Sequence, residues 1–491
     1  MRFAENADHW FHNLDKIMHY VNLNATRGGP VVAFYSTPSH YTDLKHAETL
    51  KAHATWEVRS DDIFPLADNA HAYWSGYFTS RPSLKRQVRF ASNFLNAARQ
   101  MEAISKVTAA EVDTPTTRPS PPVGNSWTDS MEGAIGVATH HDGMSGTERQ
   151  DVSNDYSQRI SEGHFEVEAG VSLALKKLTG ITTEIGHCNC NAAGNCLNMS
   201  MCAYTTGVDE FTVIAWNPLA QNATTWLRVP VSGDAYVVTD IATRGGIASQ
   251  AIAIDNRTHS LPKLYLNKFG LTTAQITAEE TVLANKATHV LTFPVTLPPV
   301  GFSTFSVKKA SATTLAAVVS DVATAVAAPS TVSNGVYTVT IDQAKGSISS
   351  VRNIASGVEV ALNLTWGWYE SNEGDKVSSQ PSGAYMFRPA QQHTNQCDST
   401  GTQPVIEVTA GPLVTEIKQH FADWATHTVR LTKDSPYIEV EYAHTQAPPQ
   451  LNSIDATERL LAFVGGPLDR FRCLSTRDRR RRLRHRRRPR T

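Results

Sequence analysis

Apolar residues recur at helical spacing at the beginning of the chain. The segment from Asn6 to Met18 predicts an amphipathic helix. One face of this helix holds Trp10, Leu14, Ile17 and Met18. The continuous apolar run Val31–Tyr35 predicts a short buried parallel strand, and residues 43–54 predict a second helix. This order of elements is typical of one part of a larger α/β layer.

Helical spacing continues in the next part of the chain. Pro82 lies near the start of a predicted helix over residues 81–107. The apolar positions of that helix are Val88, Phe94, Leu95, Met101 and Ile104. Three more helices are predicted over 128–139, 148–162 and 164–178, after a Thr- and Pro-rich linker over 109–124. Together these segments predict a helical bundle.

From residue 205 onward the pattern changes to alternation of β-branched and polar residues. Such runs occur at 211–216, 225–229, 235–238, 290–293, 302–307, 335–341 and 437–442. Many short strands separated by Gly, Pro and Asn are typical of β-sandwiches.

These patterns predict a multidomain α+β protein of 491 residues. The predicted parts are a remnant of an α/β catalytic domain (1–70), a helical bundle or middle domain (71–180), a β-sandwich (181–310), a second, incomplete β-sandwich (311–465) and a disordered Arg-rich tail (466–491).

The formal net charge of −1 hides an uneven distribution. Residues 470–491 hold 12 of the 45 basic and one of the 46 acidic residues, so the rest of the chain carries −12. An acidic body gives no support for nucleic-acid binding. The tail itself has three interpretations: a basic signal or nucleic-acid-binding run, a disordered end, or a frame-shifted gene model, which we favour.

Cysteines and sequons favour the secretory route. Four of the six cysteines lie within Cys188–Cys202. Such a cluster indicates either disulfide bonds or a metal-binding site. The spacing of these cysteines matches no common zinc pattern. Five sequons begin at Asn24, Asn198, Asn222, Asn256 and Asn363. The N-terminus lacks the features of a signal peptide, and no run is long and apolar enough to span a membrane. We therefore expect that the true beginning of the protein is missing.

The segment Thr139–Thr147 holds the strongest candidates for metal- and sugar-binding side chains. It contains His140-His141-Asp142 followed by a turn of small residues. Neutral imidazoles bind zinc well, and a neighbouring carboxylate can bind a hydroxyl or orient a ring. The alternative is structural, because paired histidines also favour a helix C-terminus and an Asp satisfies turn backbone.

Several ordered motifs together resemble the α-mannosidases of glycoside hydrolase family 38, over roughly residues 2–442. The motifs are the opening Glu5–Lys16, which is similar to the lysosomal branch, then Asp61–Asp68, Ala72–Arg86, His140–Asp142 and Ser382–Phe387. The resemblance implies a retaining, zinc-dependent hydrolase that removes terminal α-mannose from N-glycans and oligosaccharides in the lysosome or secretory pathway.

The resemblance also implies roles for individual residues. His141 corresponds to a zinc ligand, and Asp142 to a carboxylate that contacts sugar hydroxyls. Trp74 corresponds to an aromatic residue of the mannose subsite and Tyr385 to a tyrosine that reaches in from the β-rich part, although core packing is the alternative for both. Asp68 corresponds to an acid of the same pocket region.

The departures from the family pattern concern catalysis. The family's His-x-Asp zinc ligands and its nucleophilic aspartate precede the region present here, and the acid/base Asp-Phe motif would fall at or just before Met1. Retaining hydrolysis needs two carboxyl groups about 5 Å apart. We therefore expect no catalytic residue in the chain as it stands, and the alternative function is a catalytically dead carbohydrate-binding fragment. The sequence says nothing about oligomeric state.

Overall fold

A computed structural model describes most of the chain up to residue 444. The described residues are 2–58, 60, 66–69, 72–112, 126–187, 202, 204–254, 287–310, 324–326, 329–362, 364, 367–369, 371–372, 374, 376, 379–390, 395–396, 404–422 and 425–444. The Arg-rich tail and most of the predicted linker 109–124 lie outside these residues. The chain divides into two compact units, 1–64 and 65–491. None of the described helices has the length and apolar character that a membrane crossing requires.

The described residues of the first unit form three helices joined by non-helical segments. Helix α1 spans Arg2–Glu5, α2 spans Ala7–Ala25 and α3 spans Pro38–Ala52. The Thr37 side chain caps α3 by accepting a 3.2 Å hydrogen bond from the backbone N–H of His40. The predicted apolar face of α2 forms, but no residue of that helix is buried.

The prediction of a parallel strand at Val31–Tyr35 is wrong. This segment is extended but belongs to no strand in the described residues. The side-chain amide of Asn22 takes the place of a neighbouring strand: its Oδ1 accepts from Ala33 N and its Nδ2 donates to Ala33 O, both at 2.8 Å. An apolar run alone does not make a strand, because a strand also needs a partner strand at its edge.

The second unit begins with a hairpin and a set of long helices. Strands β1 (Ala67–Asn69) and β2 (Ala72–Tyr73) pair antiparallel. The helices are α4 (Gly76–Thr79), α5 (Pro82–Ser105), a short 3₁₀ turn (Ala109–Glu111), α6 (Asp129–Ala138) and α7 (Gln150–Thr179). Apolar faces of α5, α6 and α7 share one core, with Met131 and Val167 fully buried.

The sequence predicts two helices over 148–162 and 164–178, but α7 is continuous. Gly163, which falls between the two predicted ranges, lies inside this helix. A Cβ at this position would lie 2.8 Å from the Cα of Met131, so Gly163 allows α6 to approach α7 closely. Close helix contact, and not a helix end, explains this glycine.

The β-rich part begins with two antiparallel sheets around a shared core. The strands are β3 (Glu210–Asn217), β4 (Ala223–Val231), β5 (Tyr236–Asp240), β6 (Gly246–Ile247), β7 (Gln250–Ala253), β8 (His289–Leu297) and β9 (Gly301–Lys309). Their orders are β3-β9-β5-β6 and β4-β8-β7. Phe293 of β8 meets Phe305 of β9 edge-on inside the core, at 5.7 Å between ring centroids.

A second pair of larger sheets follows. The strands are β10 (Thr324–Val326), β11 (Thr331–Ser333), β12 (Tyr337–Asp342), β13 (Ser347–Asn353), β14 (Glu359–Ala361), β15 (Gly367–Trp368), β16 (Asn395–Gln396), β17 (Val405–Ala410), β18 (Val414–Ala422), β19 (Ala425–Thr432) and β20 (Glu439–His444). The orders are β11-β12-β13-β14 and β10-β17-β18-β19-β20, with β15 and β16 paired separately. Tyr337 and Ile417, from different sheets, share one buried core. The protein is thus an α+β mixture of helices and antiparallel sheets.

A buried glutamine joins the two β-rich regions. The Gln250 side chain of β7 donates to Val414 O at 2.7 Å and accepts from the N–H groups of Leu413 and Val414 at 2.9 and 3.0 Å. Nearby, Arg228 of β4 forms an ion pair with Glu439 of β20 at 2.5 Å. These contacts connect the region that carries Tyr385 to the rest of the second unit.

Candidate sugar- and metal-binding site

The His-His-Asp motif lies in the turn that follows α6. The helix ends at Ala138, and the chain then folds back so that Met144 N donates to Ala138 O at 2.9 Å. The small residues fit this path: a Cβ at Gly146, where φ is +74°, would lie 2.2 Å from Ser80 O. The turn leaves His140 and His141 exposed and Asp142 partly exposed.

Asp142 accepts hydrogen bonds from two directions. Thr147, in the same turn, donates to its Oδ1 at 2.9 Å, and Tyr385 donates to the same oxygen from the β-rich part of the chain. The other oxygen, Oδ2, lies 3.6 Å from His141 Nε2. The hydrogen bonds from Tyr385 and Thr147 lower the pKa of Asp142, so the carboxylate form is favoured. The same contact with Asp142 raises the pKa of Tyr385.

The loop that carries Tyr385 is fastened to the helical region along its backbone. Tyr73 and Phe387 exchange two backbone hydrogen bonds, at 3.1 and 2.8 Å. Gly76 N donates to Tyr385 O at 2.9 Å, and the Ser80 hydroxyl donates to Ala384 O at 2.8 Å. The Tyr385 side chain is thereby directed toward Asp142.

Trp74 lies on the same side of the site. Its ring meets the Tyr385 ring edge-on, with 6.0 Å between centroids. The indole Nε1 of Trp74 is buried and has no hydrogen-bond acceptor among the described residues. An unpaired buried donor of this kind is uncommon and can be satisfied by water or a ligand. The backbone of Trp74 donates to Leu66 O at 2.7 Å, beside the hairpin whose strand β1 contains Asp68.

Two cationic side chains, Lys85 and Arg81, contact the turn that carries the His-His-Asp motif. The Lys85 ammonium donates to three backbone carbonyls: Tyr77 O at 2.9 Å, Met144 O at 2.8 Å and Ser145 O at 2.6 Å. Its partial burial lowers its pKa. Arg81 pairs with the buried Glu148 at 3.2 Å and donates to Glu148 O at 3.0 Å. Both residues therefore connect the start of α5 to the turn after α6.

His140, His141 and Asp142 offer a donor set that suits a metal ion. One potential ligand atom from each of these residues lies within 4.8 Å of the other two. Two imidazoles and a carboxylate are donor types that zinc accepts. His141, the one family zinc ligand that the resemblance places in this chain, therefore has further donors of suitable types beside it.

The structure brings together four of the residues that the sequence singled out: His141, Asp142, Tyr385 and Trp74. Asp68 lies in β1, but its side chain is outside what is described. Sequence reasoning missed the parts played by Thr147 and Lys85, although both belong to quoted motifs. A hydroxyl five residues after Asp142 was a usable signal for Thr147, whereas nothing local indicates that Lys85 reaches residues 144 and 145.

Comparisons with known proteins identify the class. The family "Alpha mannosidase middle domain" matches residues 72–178, which contain the helices and the His-His-Asp turn. The family "Glycosyl hydrolases family 38 C-terminal domain" matches residues 332–444, which contain the Tyr385 loop. The chain belongs to the glycosyl hydrolases of family 38.

Individual relatives are α-mannosidases. The chain is 33% identical to the human lysosomal alpha-mannosidase over 441 residues, and 32% identical to a probable alpha-mannosidase of Arabidopsis thaliana over 461 residues. It is 30% identical to the alpha-mannosidase of Canavalia ensiformis. Each match covers 89% of this chain but only 39%, 41% and 42% of the respective relative. The chain thus spans about two fifths of the length of these relatives.

Proposed function

We propose that His141, Asp142, Tyr385 and Trp74 form one side of the terminal-mannose subsite of a retaining, zinc-dependent α-mannosidase. Mannose-containing glycans are the proposed substrates. The observation that carries this proposal is the hydrogen bond from Tyr385 to Asp142, which joins the two family-matched regions at the His-His-Asp turn.

Each residue supports the proposal through its chemistry. Asp142 is held as a carboxylate, which accepts hydrogen bonds from sugar hydroxyls. The Trp74 ring offers an apolar surface for the C–H face of a sugar.

His141 is the proposed zinc ligand, with Asp142 and His140 beside it. When bound there, zinc supplies a Lewis acid that polarises the sugar hydroxyls in contact with it. Tyr385 and Thr147 orient the Asp142 carboxylate, because both donate to its Oδ1. This arrangement leaves Oδ2 facing His141.

A second candidate function is carbohydrate binding without turnover. Retaining hydrolysis uses a nucleophilic carboxylate and an acid/base carboxyl group about 5 Å apart. The metal-ligand cluster of the described residues contributes one carboxylate, Asp142. A site with this one carboxylate would bind mannose but would lack the pair of carboxyl groups that hydrolysis needs.

Hydrolysis of an aryl α-mannoside distinguishes the two functions. The purified chain, supplied with zinc, is expected to release no aryl group. Turnover by the chain that disappears in His141→Ala would contradict the binding-only function and establish the hydrolase. Assaying His53→Ala in parallel controls for zinc loosely held by surface histidines, because His53 is exposed and lies in the other unit.

We also propose a lysosomal or secretory location. Support comes from relatives whose names include "lysosomal" and from Cys202, which is disulfide-bonded and buried. Disulfides persist in oxidising compartments. A free Cys202 thiol in protein isolated from its own cells would contradict this location.

A further inference from the structure

We propose that Asn222 is a site of N-linked glycosylation, with a lipid-pyrophosphate-linked oligosaccharide as the donor. The inference goes beyond the proposed hydrolase and rests only on its secretory location. Asn222-Ala223-Thr224 is an acceptor tripeptide with no proline in the middle.

The fold places this tripeptide at an exposed turn. Asn222 directly precedes β4, after the turn that connects β3 to β4. Buried Asn217 fastens the turn: its Nδ2 donates to Gln221 O and Pro298 O, both at 2.8 Å, and its Oδ1 accepts from Leu219 N at 3.0 Å. The turn is therefore held by Asn217 and does not depend on the Asn222 side chain.

Asn222 and Thr224 are both exposed. No hydrogen bond of the Asn222 amide is found within the described chain, and the Thr224 hydroxyl lies 3.2 Å from the exposed Thr296 hydroxyl on β8. A glycan attached before folding must find room in the folded protein, and a side chain directed to solvent provides it. Folding around a modified Asn222 therefore requires no change in the core.

The modification is a balanced substitution. The Asn222 Nδ2 attacks the anomeric carbon of the donor sugar, and a new N–C bond forms. The bond from that carbon to the pyrophosphate oxygen breaks, the lipid pyrophosphate leaves with the bonding electrons, and the amide nitrogen loses one proton to the transferase. The product amide keeps its other N–H.

A second sequon provides an internal comparison. Asn24 lies at the end of α2, and its Nδ2 would be only 2.5 Å from a Cβ placed on Gly29. The hydroxyl of Thr26, in the same tripeptide, donates to Leu23 O at 2.8 Å. The amide of Asn24 thus lies against the following turn, which leaves less room for a glycan than at Asn222. The sequons at Asn198, Asn256 and Asn363 lie outside the described residues.

The test uses the full chain, delivered to the secretory lumen of cultured cells by a cleavable signal sequence. Removal of the signal, read from the new N-terminus, proves delivery independently of glycosylation. Enzymatic release of N-glycans in ¹⁸O-labelled water then marks each occupied asparagine as a labelled aspartate. We expect the label at residue 222, with higher occupancy than at residue 24.

Variants at Thr224 separate the sequon from the fold. Thr224→Ser keeps an acceptor hydroxyl and should preserve modification, whereas Thr224→Ala should abolish it and remove one glycan-sized step in gel mobility. An unlabelled Asn222 in chains whose signal has been removed would overturn the site. This result would leave the mannose-binding proposal untouched, because binding is measured separately and Asn222 is not among the proposed sugar-binding residues.

Discussion

The Asp142 carboxylate joins two parts of the chain that are far apart in sequence. It accepts from Thr147 in its own turn and from Tyr385, which lies 243 residues later. The resemblance to family 38 predicted that Asp142 and Tyr385 belong to one site, whereas the part played by Thr147 emerged only from the structure. The sequence did not predict the contacts that hold Tyr385 in place, because no local pattern reports the distance between Gly76 and Ala384.

A substitution at Gly76 tests how closely the loop that carries Tyr385 packs against the helical region. A Cβ at Gly76 would lie 2.4 Å from Ala384 O, so Gly76→Ala must displace the loop that carries Tyr385. We expect a loss of about 1–3 kcal/mol in the free energy of unfolding, as for other overpacked positions. Urea denaturation followed by circular dichroism measures it.

Gly133→Ala is the matched control, because Gly133 lies inside α6 and a Cβ there would meet nothing within 4 Å. This substitution should stabilise the protein by about 0.5–1 kcal/mol through the lower entropy of the unfolded chain. Equal effects of the two substitutions would contradict the close approach at Gly76.

Helices and strands were predictable where apolar residues recur at one clear spacing, either helical or alternating. Helix α5 and strands β3, β4, β8 and β9 form where the sequence places them. Two predictions were wrong because the structural role of the residues concerned depends on contacts with other parts of the chain. Val31–Tyr35 has no neighbouring strand in the described chain, and Gly163 contacts another helix and does not end its own.

Lys85 connects helix α5 to the His-His-Asp turn. Lys85→Met keeps the length of the side chain but removes the donor for three carbonyls. We expect a loss of about 1–3 kcal/mol, because partly buried carbonyls lose a charged partner. Amide hydrogen exchange over residues 143–146 should become faster.

The control for Lys85 is Lys308→Met, which removes an exposed lysine that pairs with Glu210 at 2.7 Å. An exposed ion pair contributes only about 0–1 kcal/mol. If Lys85→Met costs no more than Lys308→Met and leaves exchange over 143–146 unchanged, Lys85 does not support the turn.

At the scale of the whole molecule, buried histidines make stability depend on pH. His164, in the helical region, and His427, in the second β-rich region, are almost fully buried, and burial lowers the pKa of each to about 4. An unfolded histidine has a pKa of about 6.5, so the unfolded chain takes up protons first as pH falls. Stability is therefore complete above about pH 6.5 and decreases toward pH 4.

The expected loss is up to about 3 kcal/mol for each histidine between those pH values. Denaturant unfolding at pH 7 and at pH 4.5 measures the total. His164→Phe, which keeps a ring stacked on Phe94, should reduce the difference between the two pH values. An unfolding free energy that is the same at both pH values would contradict the burial of these groups as neutral imidazoles.

The most direct test of the proposed sugar site is a calorimetric titration of the zinc-supplied chain with methyl α-mannoside. We expect saturable binding that Trp74→Ala, Tyr385→Phe and His141→Ala each weaken, whereas Tyr437→Phe, at an exposed tyrosine of the β-rich part, leaves it unchanged. Absence of binding, or binding of equal strength in His141→Ala and in the unaltered chain, would contradict the account.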